Sequence, residues 1–202
     1  MKIYLVRHGE TDWNKERRFQ GQVDIPLNRY GIELAEKTAE ALREIPFEAV
    51  FSSPLCRAVQ TAKIMMGERS VPFETDERLK EMNFGSFEGT VIPPGVSERD
   101  SNPLYYFWKE PEHYIPPSDG ESFEELYHRS AEFMREKIFP LENKYETVLI
   151  AGHGALNRSI LNSVAGFPIE DFWHIPLLNC AVSELSLENG KLRITEPGKI
   201  YY

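Results

Sequence analysis

Two short, nearly unbroken apolar runs organise this chain: Ile3-Tyr4-Leu5-Val6, and Thr147-Val148-Leu149-Ile150-Ala151. Neither alternates with polar residues, so each predicts a strand buried on both faces of a parallel sheet. Each also runs out into a His-Gly pair: His8-Gly9 directly after Arg7, and His153-Gly154, which precedes a helical stretch over Ala155 to Val164. From Gly31 to Arg43, Ile32, Leu34, Ala35, Ala39 and Leu42 recur at helical spacing with Glu and Lys between them, and Pro46 follows; that pattern predicts an amphipathic helix. A third run, Ala49-Val50-Phe51, leads into Ser52-Ser53-Pro54, where the serines are placed to cap a helix from Leu55 to Met66 with Pro54 early in it. A short strand is expected near Val71 to Glu74. Ser122 and Glu125 spell a capping box for a helix running to Phe139. Ala181 to Leu187 and Leu192 to Thr195 flank Glu188-Asn189-Gly190, and Asn-Gly is a strong hairpin signal.

Strands alternating with helices predict an α/β fold: a three-layer sandwich, mostly parallel in its central sheet, with helices on both faces and a C-terminal β-hairpin. Residues 90 to 120 break the alternation. Pro93-Pro94-Gly95, Pro103, Pro111 and Pro116-Pro117 mix there with Tyr105, Tyr106, Phe107, Trp108 and Tyr114, which reads as a packed lid insertion within one domain spanning 1–202. Tyr105 to Trp108 are expected to form the core of that lid. No repeat of solenoid period is present.

Composition narrows the class. With 41% hydrophobic and 27% charged residues the chain has ordinary globular usage, and its 202 residues suffice for a sizeable core. Lys plus Arg number 23 against 32 Asp plus Glu, a formal charge of -9, which argues against a general nucleic-acid or anionic-membrane partner. Met1 to Val6 reaches Arg7 too soon for a secretory apolar segment or a membrane span, so a cytoplasmic protein is expected. Cys56 and Cys180 lie in no paired motif and are expected to be small core residues. No cofactor and no metal are expected: His8, His113, His128, His153 and His174 fit no His-x-x-x-His or His-Glu-x-x-His pattern, and Arg7 beside His8 repels a cation. Oligomeric state is not legible, because no exposed apolar face can be located from the sequence.

In open α/β sheets ligands sit beyond the carboxyl ends of the strands, so residues leaving Val6, Phe51 and Ala151 should face one crevice. Arg7, His8, Arg57 and His153 fall there. Guanidinium forks match phosphate oxygens. A histidine held by one ring nitrogen can attack with the other, and Gly9 allows close backbone approach. Arg7, Arg57 and a protonated His153 would neutralise phosphoryl oxygens without magnesium. A carboxyl group must still protonate the leaving oxygen, and Glu81, in a loop-like stretch after Leu79, is preferred over Glu77 and Glu88. Glu10 and Thr11 are expected to position the loop after the first strand.

Leu5-Val6-Arg7-His8-Gly9-Glu10-Thr11 resembles the signature of the histidine phosphatase superfamily, in its phosphoglycerate-mutase-like branch. The likeness continues through Gln20-Gly21, Asp24-Ile25-Pro26-Leu27, Gly31, the run Ser52 to Ala62, Glu81, Gly85-Ser86-Phe87-Glu88-Gly89, Gly120-Glu121-Ser122 and His153-Gly154. The resemblance implies that His8 becomes a phosphohistidine and that Glu81 is the proton donor. Arg7, Arg57 and His153 would hold the phosphoryl group, with Asn14, Gln20, Gly21 and Gly154 in the same substrate-binding pocket. It implies a small phosphate ester as substrate, and a phosphatase of ribazole-phosphate or broad-specificity type. Mutases of this kind usually carry a tandem Arg pair in the insertion, whereas the basic side chains between Gly89 and Gly120 are Arg99, Lys109 and His113. A bisphosphoglycerate-dependent phosphoglycerate mutase is the alternative, and an inactive anion-binding module a second one.

Overall fold

The computed structural model describes residues 1–91 and 104–202; the expectations resting on Ile92 to Gly95, Arg99 and Pro103 lie outside them. Six strands form one sheet in the order β3-β2-β4-β1-β5-β6: β1 (Lys2–Arg7), β2 (Ala49–Ser52), β3 (Phe73–Thr75), β4 (Thr147–Gly152), β5 (Val182–Glu188) and β6 (Lys191–Lys199). Strands β1 to β4 run parallel. β5 runs antiparallel to β1, and β6 to β5. The expected mixed α/β sheet with its C-terminal hairpin is therefore present. Asn189 and Gly190 have φ of 52° and 70°, the left-handed pair that a two-residue hairpin turn needs and that Asn-Gly supplies with little strain.

Alternate residues of each central strand face opposite cores. Ile3, Leu5, Phe51, Val148 and Ile150 pack with Leu126 and Phe133 of α5 (Phe123–Phe133) and with Leu156 and Ile160 of α6 (Gly154–Ala165). Tyr4, Val6, Val50, Leu149 and Ala151 pack on the other side with Leu42, Ala62 and Met65. These last residues belong to α3 (Cys56–Met66) and to the end of α2 (Arg29–Ala41). Three layers result, and each fully buried Leu or Ile contributes roughly 1.5–3 kcal/mol through burial.

Local chemistry sets most helix ends. Thr11 caps the short α1 (Asp12–Lys15), and Ser122 caps α5 in the expected box with Glu125. α3 differs from expectation. Ser53 is still tied to the sheet through its N–H to the Ala151 carbonyl at 2.9 Å, so Pro54 precedes the helix and neither serine caps it. Asp24 does so instead, accepting from the Cys56 N–H at 2.7 Å. Cys180 is buried as expected, whereas Cys56 is only half-buried at that first turn; burial and the Asp24 carboxylate push its thiol up to about 11. The helix expected to run to Phe139 is α-helical only to Phe133, then widens into a π turn over Met134–Ile138. Pro140 has no N–H to return to the preceding turn, so the regular ladder cannot continue through it.

The described part of the insertion is packed down. α4 (Leu104–Lys109) buries Phe107 in the main core. Its ring meets Phe84 at 5.1 Å, Tyr114 at 5.2 Å and Trp173 at 4.9 Å. No helix among the described residues is long and apolar enough to cross a membrane.

Candidate active site

Sheet register brings the two His-Gly pairs together. Arg7 of β1 is paired with Gly152 of the neighbouring β4, so the next residues, His8 and His153, leave adjacent strands about 4.8 Å apart. Their ring centroids lie 5.1 Å apart.

His8 is 3% exposed, and its Nδ1 lies 2.7 Å from the Gly9 carbonyl oxygen. A carbonyl only accepts, so Nδ1 carries the hydrogen and Nε2 keeps its lone pair. Burial, then the charges of Arg57 and Arg7, hold the His8 pKa well below 6.5; the ring is neutral at pH 7 and needs no deprotonation before attacking. Gly9 is small for a reason the sequence did not give. A Cβ there would lie 2.5 Å from the Gly31 carbonyl oxygen, so this glycine lets the loop pass the first turn of α2. Its N–H donates to Thr61 Oγ1 at 3.0 Å.

His153 is fully buried, and neither ring nitrogen has a partner among the described residues. Burial, Arg57 and His8 depress its pKa well below 6.5. The protonated His153 expected from the sequence therefore requires a bound anion to offset the neighbouring charges.

Arg57 is 0% exposed. Its Nη2 donates to the Gly21 carbonyl at 2.6 Å and Nη1 to that of Val23 at 2.9 Å, while Nε has no partner among the described residues. Burial lowers its pKa to about 10, which leaves it cationic at neutral pH. Arg7 donates from Nη1 to the Leu177 carbonyl at 2.7 Å, and its Nε is likewise unpartnered.

Of the candidate carboxylates, Glu81 reaches the site. Its Oε1 accepts from the Met82 and Leu156 N–H groups at 2.9 and 3.0 Å, and its Oε2 from that of Ala155 at 3.1 Å. The carboxylate thereby sits at the N-terminus of α6, whose own N-cap residue, His153, provides no side-chain bond. Arg129 braces the loop beneath it, donating to the carbonyls of Arg78, Lys80 and Glu81 at 2.6, 2.6 and 3.0 Å. Glu77 is exposed and pairs with Lys80. Glu88 is a staple: it accepts from the Gln22 and Val23 N–H groups, both at 2.8 Å, and from that of Phe84 at 3.2 Å. A Cβ on Gly21 would lie 2.0 Å from that carboxylate, so Gly21 serves this staple and the Arg57 bond.

The cavity in front of His8 measures about 360 Å³, and Arg7, Asn14, Gln20, Glu81 and Gly154 share its wall with His8. Arg57, His153 and Gly21, also expected at the site, are not on that wall. Thr11 and Asn14 bond each other's backbone N–H, and Thr11 Oγ1 bonds Gln20 Oε1. Glu10 accepts from Asn28 at 2.9 Å, so both loop residues act structurally, as expected. The Gln20 amide nitrogen is buried without a partner among the described residues. Wall residues that were not anticipated include Arg18, Phe19, Phe84, Arg158 and Trp173, and Trp108, expected in the core of the lid, also faces the cavity. Arg158 was legible in principle, one helical turn after Gly154; Trp173 comes from a distant loop with no local signal.

A Cβ on Gly154 would stand 3.4 Å from Glu81 Oε2 and 3.6 Å from both Arg158 Nη1 and Arg7 Nε. These are ordinary contacts, so Gly154→Ala should fold with its Tm within about 2 °C of the wild type. The methyl nevertheless fills the space these groups enclose, and kcat/KM for a phosphomonoester should fall by about tenfold to a hundredfold. Steady-state kinetics beside thermal melts check this; unchanged kinetics would place the ligand elsewhere.

Fold and cavity together define an α/β protein with a histidine- and arginine-lined pocket at the carboxyl ends of its parallel strands. The model of the histidine phosphatase superfamily (branch 1) matches residues 3–199, and the chain belongs to that superfamily. It is 32% identical over 190 residues to a Proteus mirabilis protein described as "Probable phosphoglycerate mutase GpmB", covering 94% of this chain and 86% of that one. Among solved structures it resembles Bacillus stearothermophilus YhfR, with a TM-score of 0.88 and 30% identity over 98% of this chain and 97% of that chain. The α-ribazole phosphatase of Shigella flexneri is similar at TM-score 0.85 and 26% identity, covering 98% and 96%.

Proposed function

We propose that this protein is a phosphatase that hydrolyses small phosphomonoesters through a phosphohistidine on His8. The observation that carries the reading is a cluster of unpaired polar groups: the donors Arg7 Nε, Arg57 Nε and Gln20 Nε2, and the two ring nitrogens of His153, are buried without partners among the described residues. Unmade hydrogen bonds of this kind are costly. A phosphate dianion supplies the acceptors, and its charge would also let His153 take up a proton.

In the first step the His8 Nε2 lone pair attacks phosphorus. The bond to the ester oxygen breaks, and that oxygen takes a proton from Glu81, leaving as an alcohol. The Gly9 carbonyl steadies the Nδ1–H as the ring gains positive charge. In the second step Glu81, now a carboxylate, takes a proton from water while the water oxygen attacks phosphorus. The P–N bond returns its pair to Nε2, and phosphate departs. Charge neutralisation by Arg7, Arg57 and His153 fills the role a metal plays in other phosphoryl transfers.

A mutase is the second reading, and the Proteus relative's name favours it. The described insertion residues offer Lys109 and His113 as basic groups, with no adjacent arginine pair. A panel of phosphorylated metabolites that includes phosphoglycerate separates the readings. The expected result is released phosphate at a rate unaffected by EDTA. Isomerisation of phosphoglycerate without release would establish the mutase; EDTA inhibition reversed by magnesium would remove the metal-independent mechanism; no turnover of any ester would leave an anion-binding module.

A further inference from the structure

The chemistry above accounts for the cations that meet the phosphoryl group, but it leaves Arg158 unused. This guanidinium lines the same cavity as Arg7, His8 and Glu81. Neutral groups hold it: Nε donates to the Ile175 carbonyl and Nη1 to the Gly154 carbonyl, both at 3.0 Å, and Cζ lies 5.0 Å from the centroid of the Trp173 ring. Trp173 is itself fixed, donating from Nε1 to the Phe107 carbonyl at 2.6 Å and packing 4.4 Å from Trp108.

No carboxylate among the described residues forms an ion pair with Arg158, whereas Arg18, the other additional guanidinium on the wall, is paired with Glu16 at 2.5 Å. Burial, and then repulsion from Arg7, lower the Arg158 pKa to about 10, against an opposing pull from Glu81. Phosphoryl transfer as proposed needs Glu81 protonated, which removes that counter-charge at the moment of attack. Arg158 is half-buried, and a guanidinium drawn partly out of water without an anion is unfavourable. Two of its five N–H donors are committed to carbonyls that fix its plane, so the others are oriented before any ligand arrives.

We propose that Arg158 binds an anionic group on the leaving half of the substrate. The esters this site favours are then phosphomonoesters whose alcohol carries a carboxylate or a comparable negative group, with a body that can lie against Phe19, Phe84 and Trp108. The assignment rests on the phosphatase reading, because that reading places the phosphate at His8.

Binding is measured on the His8→Ala protein, which separates recognition from chemistry. The probes are 3- and 4-carboxyphenyl phosphate and their neutral carbamoylphenyl counterparts, compared by calorimetry. At least one carboxylate ester is expected to bind about 10- to 100-fold more tightly than its amide, the worth of a charge-assisted hydrogen bond. Adding Arg158→Met should collapse that ratio to within about threefold. Equal affinities with Arg158 present, or a ratio that survives its replacement, would overturn the assignment. Should Arg158→Met not fold, Arg158→Lys keeps the charge but loses the planar fork and should reduce the ratio; an unchanged ratio there would equally overturn it. Failure of the phosphatase reading is distinguishable, since the wild type would then release no phosphate from any ester while the affinity ratio stood.

Discussion

Replacing His8 with alanine is expected to lower phosphomonoester turnover by about 10⁴-fold or more, since it removes the group that accepts the phosphoryl and leaves only the binding cations. Quenched reactions of the wild type should contain phosphoprotein, stable to alkali and labile to acid as a phosphoramidate is, and His8→Ala should contain none. Persistence of that label in the variant would move the nucleophile to another residue. The substitution has a second consequence that depends on charge alone. His8 is held neutral in the folded protein, with its pKa well below 6.5, while in the unfolded chain it titrates near 6.5. Below pH 6.5 the unfolded chain therefore binds the extra proton, and stability falls as pH drops, by up to about 1.4 kcal/mol per pH unit for each such histidine. His153 behaves in the same way. Thermal melts between pH 6.5 and 5 should thus show a shallower loss in His8→Ala than in the wild type. Equal slopes would mean that His8 is solvated and charged, and so a poor resting nucleophile.

The elements that carry this site were legible because their signals are local. Two apolar runs, each ending in His-Gly, announce buried strands with chemistry at one end, and strand pairing then fixes the distance between the imidazoles. What stayed hidden depends on pieces remote in sequence. Whether Ser53 or Asp24 caps α3 is decided by the Ser53 N–H remaining on the sheet. Glu88 is distinguished from Glu81 by which backbone amides each reaches, one set in the loop around Gln22 and the other at the start of α6. The family likeness singled out Glu81, and that carboxylate does line the cavity, but it could not announce Arg158 and Trp173, which meet only after α6 and the loop behind it have packed. The neutral state of His153 was unreadable for the same reason, since its cause is complete burial beside Arg57.

Glu81→Gln tests the acid and separates chemistry from architecture. Glutamine can keep its carbonyl oxygen toward the amides of Met82, Ala155 and Leu156, which Glu81 Oε1 already meets at 2.9, 3.2 and 3.0 Å, and turn its NH₂ toward the cavity. The start of α6 therefore retains an acceptor, and the fold should survive. What glutamine cannot do is deliver a proton to a departing alkoxide or take one from water. For an alkyl ester, kcat should fall about 10²- to 10⁴-fold, the usual range for a lost general acid. With 4-nitrophenyl phosphate the leaving oxygen needs no proton, so phosphorylation of His8 should proceed while hydrolysis of the phosphoenzyme, which relies on Glu81 as base, lags. The expected trace is a burst of nitrophenolate close to one equivalent per protein, followed by slow turnover. A loss of equal size for both esters, with no burst, would mean that Glu81 acts only as the cap of α6, and another group would have to supply the proton.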